Sequence, residues 1–240
     1  MAIRALLFDF DGLILDTETP DVDVWEAIYA EHGFEYPKEH WSQNIGGWGV
    51  STFDAAEDLH RLSAGTLEVN ALRRRQRQES DELILRLPVL DGVLDYLTAA
   101  KRNGLRLAIA SSSERAWVEP HLVRLGLRDS FDRVVCGDDV APGRTKPHPD
   151  VFLKALSELQ LKADEAVVLE DSPHGIKAAR AAGILVVAIP NPVTRLLPME
   201  GADLMLNSLA DMPLELLLER VTSTRQGGMP RPVAGTQPVG

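Results

Sequence analysis

The chain has 240 residues, of which 45% are hydrophobic, and carries a formal net charge of −11 at pH 7. This length and composition suit one large folded domain or two smaller ones and exclude a chain that is disordered throughout. The acidity disfavours a general nucleic-acid binder or a protein of anionic membrane surfaces, because both need a basic face. A small anionic ligand is still allowed, since a bound cation and a few basic side chains can override the overall charge.

Cysteine content and apolar runs indicate the compartment. Cys136 is the only cysteine, so no intrachain disulfide can form, and the apolar residues before it predict a buried thiol in a reducing environment. The first predicted strand begins near Ile3, which leaves no room for a signal peptide ahead of it. No apolar run approaches the length of a membrane span. We therefore expect a cytoplasmic protein, a monomer by default, with neither nucleic acid nor membrane as a partner.

The first predicted strand leads directly into two acids. An apolar run from Leu6 to Phe8 is followed by Asp9, Asp11 and Gly12. Residues i and i+2 of a strand face the same side, which would place both carboxylates together at the strand's carboxyl end, where open α/β sheets bind ligands. Two carboxylates so close repel each other, so one is protonated or a cation neutralises them. The pattern favours a catalytic or metal site over a solvated turn rich in Asp and Gly.

The following stretch is predicted to be helical. Apolar spacing indicates helices at residues 18–33, 51–62 and 66–85, the last with Thr66 as its N-cap. No convincing strand occurs in this region. We therefore expect a small helical domain at residues 17–86.

From Pro88 onward strands and helices alternate, which is typical of a parallel sheet with helices on both faces. The predicted strands are residues 105–110, 133–136, 166–169, 184–189 and 203–206. The N-terminal strand has the same buried character and should join this sheet. The fold class is therefore α/β: a Rossmann-like core of residues 1–16 and 87–221 with a helical cap, residues 17–86, inserted as a lid over the first acid pair. Residues 222–240 are rich in Gly and Pro and are predicted to be a disordered tail.

Serines follow the second predicted strand. Ser111, Ser112 and Ser113 lie between a strand and a helix, where a hydroxyl and free backbone amides form a cradle for a phosphate-like anion. Helix capping by Ser113 is the simpler explanation when this segment is taken alone.

Two further segments contain candidate charged residues, one in a rigid loop and one at the end of a predicted strand. Lys146 is followed by Pro147 and Pro149, which restrict the backbone and would hold its ammonium group on a rigid loop. Glu170 and Asp171 end a predicted strand and suit an oxygen-ligand site for magnesium, although acids also occur as helix N-caps there. Each signal is weak alone, but together they form an ordered series at strand ends.

At this point the chain resembles the haloacid dehalogenase superfamily, and within it the β-phosphoglucomutase-like phosphatases. The resemblance covers roughly residues 1–220 and includes a helical cap after the first motif. The matching segments are Asp9-Phe10-Asp11-Gly12, Asp16-Thr17-Glu18, Ser111, Lys146-Pro147, Glu170-Asp171-Ser172 and Gly175.

The resemblance implies roles for the two N-terminal acids. Asp9 would be the nucleophile that forms an aspartyl-phosphate intermediate. Asp11 would protonate the leaving oxygen and then deprotonate the attacking water, and its backbone carbonyl would bind Mg²⁺.

It also implies roles for the later motifs. Ser111, the Ser112 amide and Lys146 would hold the phosphoryl oxygens. Asp171 would bind Mg²⁺ together with Asp9, and Glu170 would support the ion directly or through water. The substrate would be a small phosphorylated metabolite of the sugar or polyol phosphate class.

Three other activities and one non-catalytic role are alternatives to a phosphatase. The dehalogenase branch lacks the second Asp and needs no metal, and the phosphonate-cleaving branch needs a cap lysine, for which only Lys38 is present. A phosphosugar mutase is the main alternative, but the loop of residues 46–52 lacks the cap Arg of the mutases, and the His common after the Asp-Thr-Glu motif is replaced near Asp21. A non-catalytic phosphate-binding module is disfavoured because no motif residue is missing.

Cap residues are weaker candidates for substrate binding. Trp48 lies in a Gly-rich loop, and Gly47 and Trp48 are predicted to contact the substrate. Trp25 is expected to pack in a helix interface instead. Of the arginines in residues 73–77, at most one or two can point at the site, because they cover several helix faces.

Overall fold

The computed structural model describes residues 2–37 and 53–226, with residues 224–226 as backbone only. A six-stranded sheet in the order β3-β2-β1-β4-β5-β6 forms its centre, and every neighbouring pair is parallel. The strands are β1 (Ala5–Phe8), β2 (Arg106–Ala110), β3 (Arg133–Val135), β4 (Ala166–Glu170), β5 (Leu185–Ala188) and β6 (Leu204–Met205). The predicted α/β fold with a Rossmann-like parallel sheet is confirmed.

The central strand explains why the sheet has helices on both faces. All residues of β1 are buried, as expected for a parallel sheet covered on both sides. Side-chain alternation sends Leu6 and Phe8 into one hydrophobic cluster and Ala5 and Leu7 into another. Each face of the sheet therefore has its own core.

Helices connect the strands and form a separate insertion. The insertion consists of three helices: α1 (Glu18–Glu31), α2 (Ala55–Leu62) and α3 (Val69–Ile84). The remaining helices are α4 (Val93–Arg102), α5 (Arg115–Arg124), α6 (Asp150–Leu159), α7 (Pro173–Ala181) and α8 (Leu214–Gln226). The three helices of the insertion agree with the predicted ranges to within a few residues, and helix α8 was not predicted.

The insertion, α1 to α3, has a hydrophobic cluster of its own. Tyr29 is its largest fully buried side chain, and its hydroxyl donates to the carbonyl oxygen of Ala55 at 2.8 Å. Trp25 packs edge-on against Tyr29 in this cluster, as the sequence indicated. A separate core is what an independently packed helical cap requires.

Two local predictions are wrong. Thr66 does not cap α3, because its hydroxyl donates to Ser63 and the helix begins after Glu68, whose carboxylate accepts from the N–H groups of Asn70 and Ala71. The prediction that a disordered tail begins at residue 222 is also wrong, because a helix continues past this residue.

Helix α8 extends to Gln226 because Leu214, Leu217 and Val221 lie on one face and are buried against the core. Residues 227–240, the remainder of the predicted tail, lie outside the described residues. No helix in the described part of the chain is long and apolar enough to cross a membrane.

The strand order determines where the polar segments meet. Strand β1 lies between β2 and β4, with Phe8 opposite Ile109 and Leu169. The chain leaves all three strands at the same edge, because parallel strands share one carboxyl edge. The residues that follow β1, β2 and β4 are therefore neighbours.

Candidate active site

Asp9 lies at the centre of this edge, directly after β1. Its backbone N–H donates to the carbonyl oxygen of Leu169 at 3.0 Å, which continues the pairing with β4. Its carboxylate is buried, and Oδ1 lies 2.6 Å from Nζ of Lys146. The predicted acid and the predicted ammonium group are thus in direct contact.

Glu170 is the fully buried last residue of β4. One of its carboxylate oxygens accepts from Nζ of Lys146, and the other accepts from the N–H groups of Asp171 and Ser172, each at 3.1 Å. A Cβ on Gly175 would lie 1.9 Å from the carboxyl carbon of Glu170. Glycine at the start of α7 is therefore required for this carboxylate to occupy its position.

Asp171 is buried beside these two acids. Its Oδ2 accepts from Nδ2 of Asn191 at 2.8 Å. Gly12 approaches it closely, since a Cβ there would lie 2.3 Å from the same oxygen, and the φ angle of Gly12 is +76°. Both the turn and the close contact favour glycine after the N-terminal acids.

The serines after β2 contact the same region. Ser111 is buried, and its Oγ accepts from the N–H of Ser113 at 3.0 Å. The hydroxyl of Ser112 accepts from the N–H of Lys146 at 3.2 Å, so this segment also positions the lysine loop. Helix α5 has Glu114 as its N-cap residue, without a side-chain hydrogen bond. Ser113 is thus not the N-cap that the sequence suggested.

Asp11 is turned toward α5. Its Oδ2 accepts from Oγ of Ser113 at 2.6 Å, and its Oδ1 accepts from Nε1 of Trp117 at 2.8 Å. A longer contact, 3.4 Å, joins Oδ2 to Oγ of Ser111. The Asp11 carboxylate is therefore held by donors that differ from those of Asp9.

The site is rich in acids that are expensive to bury. Burial, followed by repulsion from Glu170, raises the pKa of Asp9 to about 7 despite the opposing effect of Lys146. Burial, followed by repulsion from Glu170 and Asp9, raises the pKa of Asp171 well above its usual value. Burial alone would lower the pKa of Lys146, but the carboxylates of Asp9 and Glu170 raise it instead. The lysine is thus charged and only partly compensates the acids around it.

These carboxylates fit a hard divalent cation. Asp9, Glu170 and Asp171 are all buried, and each can offer an oxygen within 4.8 Å of the others. Oxygen donors alone, with excess negative charge, suit Mg²⁺ better than a softer metal. Both carboxylate oxygens of Glu170 accept hydrogen bonds, one from Lys146 and the other from the turn after β4. The contacts of Asp9 with Lys146 and of Asp171 with Asn191 each use one oxygen, so Asp9 and Asp171 are the better placed direct ligands.

Most of the predicted site residues meet at the carboxyl edge of the sheet. Asp9, Ser111, Lys146, Glu170 and Asp171 lie at one edge of the sheet. Asp11 and Ser112 lie beside them and are joined to them by hydrogen bonds, as given above. Gly47 and Trp48 fall within residues 38–52, which lie outside the described residues.

Sequence reasoning missed three contributors. Trp117 and the hydroxyl of Ser113 hold Asp11, and Asn191 holds Asp171. Asn191 follows the end of β5, so the rule that found the other polar residues at strand ends could have identified it. Trp117 lies within a helix and carried no comparable signal.

Comparison with known proteins identifies the class. The family described as haloacid dehalogenase-like hydrolase matches residues 6–189, which span β1 through β5 and the acids of the site. The chain belongs to this family.

The curated relatives of the chain include phosphatases and a phosphoglucomutase. The chain is 40% identical over 225 residues to "Putative phosphatase YhcW" of Bacillus subtilis, covering 92% of this chain and 99% of that protein. It is 34% identical to the fructose-1-phosphate phosphatase YqaB of Escherichia coli, over 75% of this chain and 92% of YqaB. It is 30% identical to the β-phosphoglucomutase of B. subtilis, over 90% of this chain and 95% of that enzyme. The protein is a β-phosphoglucomutase-like phosphatase of the haloacid dehalogenase-like family.

Proposed function

We propose that the protein hydrolyses a small sugar phosphate or polyol phosphate in a Mg²⁺-dependent reaction, with Asp9 as the nucleophile. The observation that carries this proposal is the contact of Asp9 with Lys146 in a buried cluster that also contains Glu170 and Asp171. The similarity to a fructose-1-phosphate phosphatase supports the sugar phosphate class. The single buried cysteine, Cys136, suits the reducing cytoplasm.

In the first step, a carboxylate oxygen of Asp9 attacks phosphorus. A bond forms between Asp9 and the phosphoryl group while the ester bond to the sugar oxygen breaks. Asp11 donates its proton to that leaving oxygen, so the product leaves as a neutral alcohol.

In the second step, a water molecule attacks the phosphoryl group on Asp9. Asp11 now accepts a proton from this water, and the bond between Asp9 and phosphorus breaks to release inorganic phosphate. Asp9 returns to a carboxylate and Asp11 to its protonated form, so the cycle balances.

The other residues of the site would hold the phosphoryl group and neutralise its negative charge. Ser111, the N–H of Ser112 and Lys146 would hold the equatorial phosphoryl oxygens, which carry the charge of the transition state. Mg²⁺, held by Asp9 and Asp171, would supply further neutralisation of those oxygens. Glu170 keeps Lys146 in place through their ion pair.

The proposal is tested with a panel of sugar and polyol phosphates. We expect phosphate release that needs Mg²⁺, stops with a chelator, and falls by at least about a thousandfold in Asp9→Asn. Acid quenching during turnover should leave one phosphoryl group on the peptide that contains Asp9. Asp23→Asn, which changes an exposed acid on α1, is the matched control and should keep full activity.

Two results would contradict the proposal. Full activity in Asp9→Asn would refute the nucleophile. Conversion of β-glucose 1-phosphate to the 6-phosphate faster than phosphate appears would show a mutase, the activity of the B. subtilis relative.

A further inference from the structure

The carboxylate of Asp11 is fixed by two donors from one short segment of the chain. Trp117 donates from Nε1 to Oδ1, and Ser113 donates from its hydroxyl to Oδ2. Because each oxygen accepts one short hydrogen bond, both the position and the plane of the carboxylate are set. An acid that must reach a leaving oxygen within hydrogen-bond distance depends on such orientation.

The indole of Trp117 is itself held from two elements. On α5, its ring packs edge-on against the buried His121, with ring centroids 4.4 Å apart. From α3 of the insertion, the guanidinium carbon of Arg77 lies 4.8 Å from the ring centroid. This distance is typical of a cation–π contact, so the indole joins the insertion to the segment that holds Asp11.

Arg77 differs from its neighbours in the arginine run of α3. Arg73 pairs with Asp54 and Glu57, and Arg75 pairs with Glu31 and Glu79, so both are bound within the insertion. Arg74 is exposed and lies near Glu68, also within the insertion.

Arg77 pairs with Asp81 on its own helix and also reaches the indole on α5. Within residues 73–77, all of which the structure describes, Arg77 is the arginine that contacts the catalytic side of the molecule.

We propose that Trp117 is a positioning residue for Asp11, and that Arg77 couples the position of the Trp117 indole to the helical insertion. The proposal rests on the proposed function, in which Asp11 transfers protons to and from oxygen. The indole N–H keeps the Asp11 carboxylate at the angle from which it can protonate a leaving oxygen. Arg77 keeps the indole in place when the insertion packs against the core.

The test uses leaving groups of different basicity. A sugar alkoxide needs a proton to leave, whereas p-nitrophenolate does not, so only the sugar phosphate depends on Asp11 in the first step. The kcat/KM value reports on steps up to the first irreversible one, here phosphorylation of Asp9. In Trp117→Phe, which keeps an aromatic ring but removes the N–H, kcat/KM should fall at least about tenfold for the sugar phosphate and far less for p-nitrophenyl phosphate.

Matched variants separate positioning from packing. Trp25→Phe removes an indole that is buried in the insertion's own core and should leave the ratio of the two kcat/KM values unchanged. Arg77→Met should shift this ratio in the same direction as Trp117→Phe but less, and Arg74→Met should not shift it. An equal loss on both substrates in Trp117→Phe, or no loss on either, would overturn the role of Trp117. An unchanged ratio in Arg77→Met would overturn the link to the insertion.

A spectroscopic measurement tests the hydrogen bond without any turnover. The chain has four tryptophans, so the indole N–H resonances can be resolved, and the one that is lost in Trp117→Phe belongs to Trp117. In Asp11→Ala this resonance should move strongly, because its acceptor is gone, while the Trp25 resonance should stay. An unmoved Trp117 resonance would refute the contact. Failure of the proposed function would appear differently, as full activity in Asp9→Asn with the Trp117 resonance still dependent on Asp11.

Discussion

The Nζ atom of Lys146 lies 2.6 Å from Oδ1 of Asp9, and both side chains are almost completely buried. The same ammonium group donates to Glu170, so it stands between two carboxylates. Its surroundings also include the aromatic ring of Phe152, whose centroid lies 5.2 Å from Nζ. A buried cation shared in this way both stabilises the acids and prepares a positive charge beside the proposed nucleophile.

Lys146→Met should lower both stability and activity. It leaves buried carboxylates without their cation, which costs on the order of 3 kcal/mol of unfolding free energy in the metal-free protein. It also removes a charge that would hold phosphoryl oxygens, so kcat should fall by about a hundredfold or more. Denaturant unfolding and phosphate release measure the two effects. Lys154→Met, which removes a surface lysine paired with Glu158, is the control, and a similar small change in both variants would contradict the prediction.

Gly175→Ala tests the close approach of α7 to Glu170. Helix propensity alone predicts that alanine stabilises α7 by up to about 1 kcal/mol. The new Cβ would instead lie 1.9 Å from the carboxyl carbon of Glu170, so the carboxylate or the helix must shift. We expect a net loss of unfolding free energy of about 1–3 kcal/mol and weaker Mg²⁺ binding.

The control for this clash is Gly104→Ala. A Cβ at Gly104 meets nothing within 4 Å, but its φ of +68° makes alanine unfavourable there. It should therefore lose about 1 kcal/mol from backbone strain without any change in Mg²⁺ affinity. Normal Mg²⁺ affinity in Gly175→Ala would show that Glu170 tolerates the shift.

The sheet and the clustering of acids could be predicted from the sequence because both follow from local patterns. Strands β1 and β4 are short apolar runs, and alternation with helices implies that they are parallel. Parallel strands share one carboxyl edge, which predicts that Asp9 and Glu170 lie on the same edge of the sheet. Their direct proximity follows from the strand order, in which β4 is next to β1.

The remaining features depend on contacts between distant segments. Trp117 binds Asp11 across 106 positions of the sequence, and nothing in helix α5 signals this contact. The capping pattern around Ser113 was misleading because its hydroxyl has a better acceptor in Asp11. Helix α8 carried a detectable signal in the spacing of its leucines, and the Gly and Pro content of the residues after it obscured that signal.

Stability of the metal-free protein should fall as the pH rises. An ordinary Asp has a pKa of 3.8, whereas burial raises the pKa of Asp9 in the folded protein to about 7. Between these values the folded state keeps a proton that the unfolded state has lost, so the unfolding free energy decreases with pH by up to about 1.4 kcal/mol per unit. Asp171 acts in the same direction, since burial also raises its pKa.

Mg²⁺ should reverse this trend because it binds the ionised carboxylates. Denaturant unfolding from about pH 5 to about pH 8, with and without Mg²⁺, should show a stabilisation by the metal that grows with pH. Asp9→Asn is the matched variant, and it should have a shallower pH dependence in the absence of metal. A wild-type unfolding free energy that rises between pH 5 and pH 7 without Mg²⁺ would contradict the assignment of a raised pKa to Asp9.

Asn191 should determine the affinity of the site for Mg²⁺ through its bond to Asp171. Its Oδ1 accepts from the N–H groups of Val193 and Thr194, both at 2.9 Å, which fixes the amide so that Nδ2 faces Asp171. Replacing a residue that orients a metal-binding carboxylate typically lowers metal affinity about 10- to 100-fold. We therefore expect Asn191→Ala to lower the affinity for Mg²⁺ by about tenfold or more. Calorimetric titration of the protein with Mg²⁺ measures this affinity directly.

The control for Asn191 is Asn103→Ala. Asn103 also donates through its Nδ2 to a carboxylate, that of Glu215, but on the exposed surface at the end of α4. Its replacement should leave the Mg²⁺ dissociation constant unchanged, since neither residue approaches the buried acids. A wild-type dissociation constant in Asn191→Ala would mean that Asp171 is oriented by its place after β4 alone, and the amide would then serve only to cap the turn that contains Val193 and Thr194.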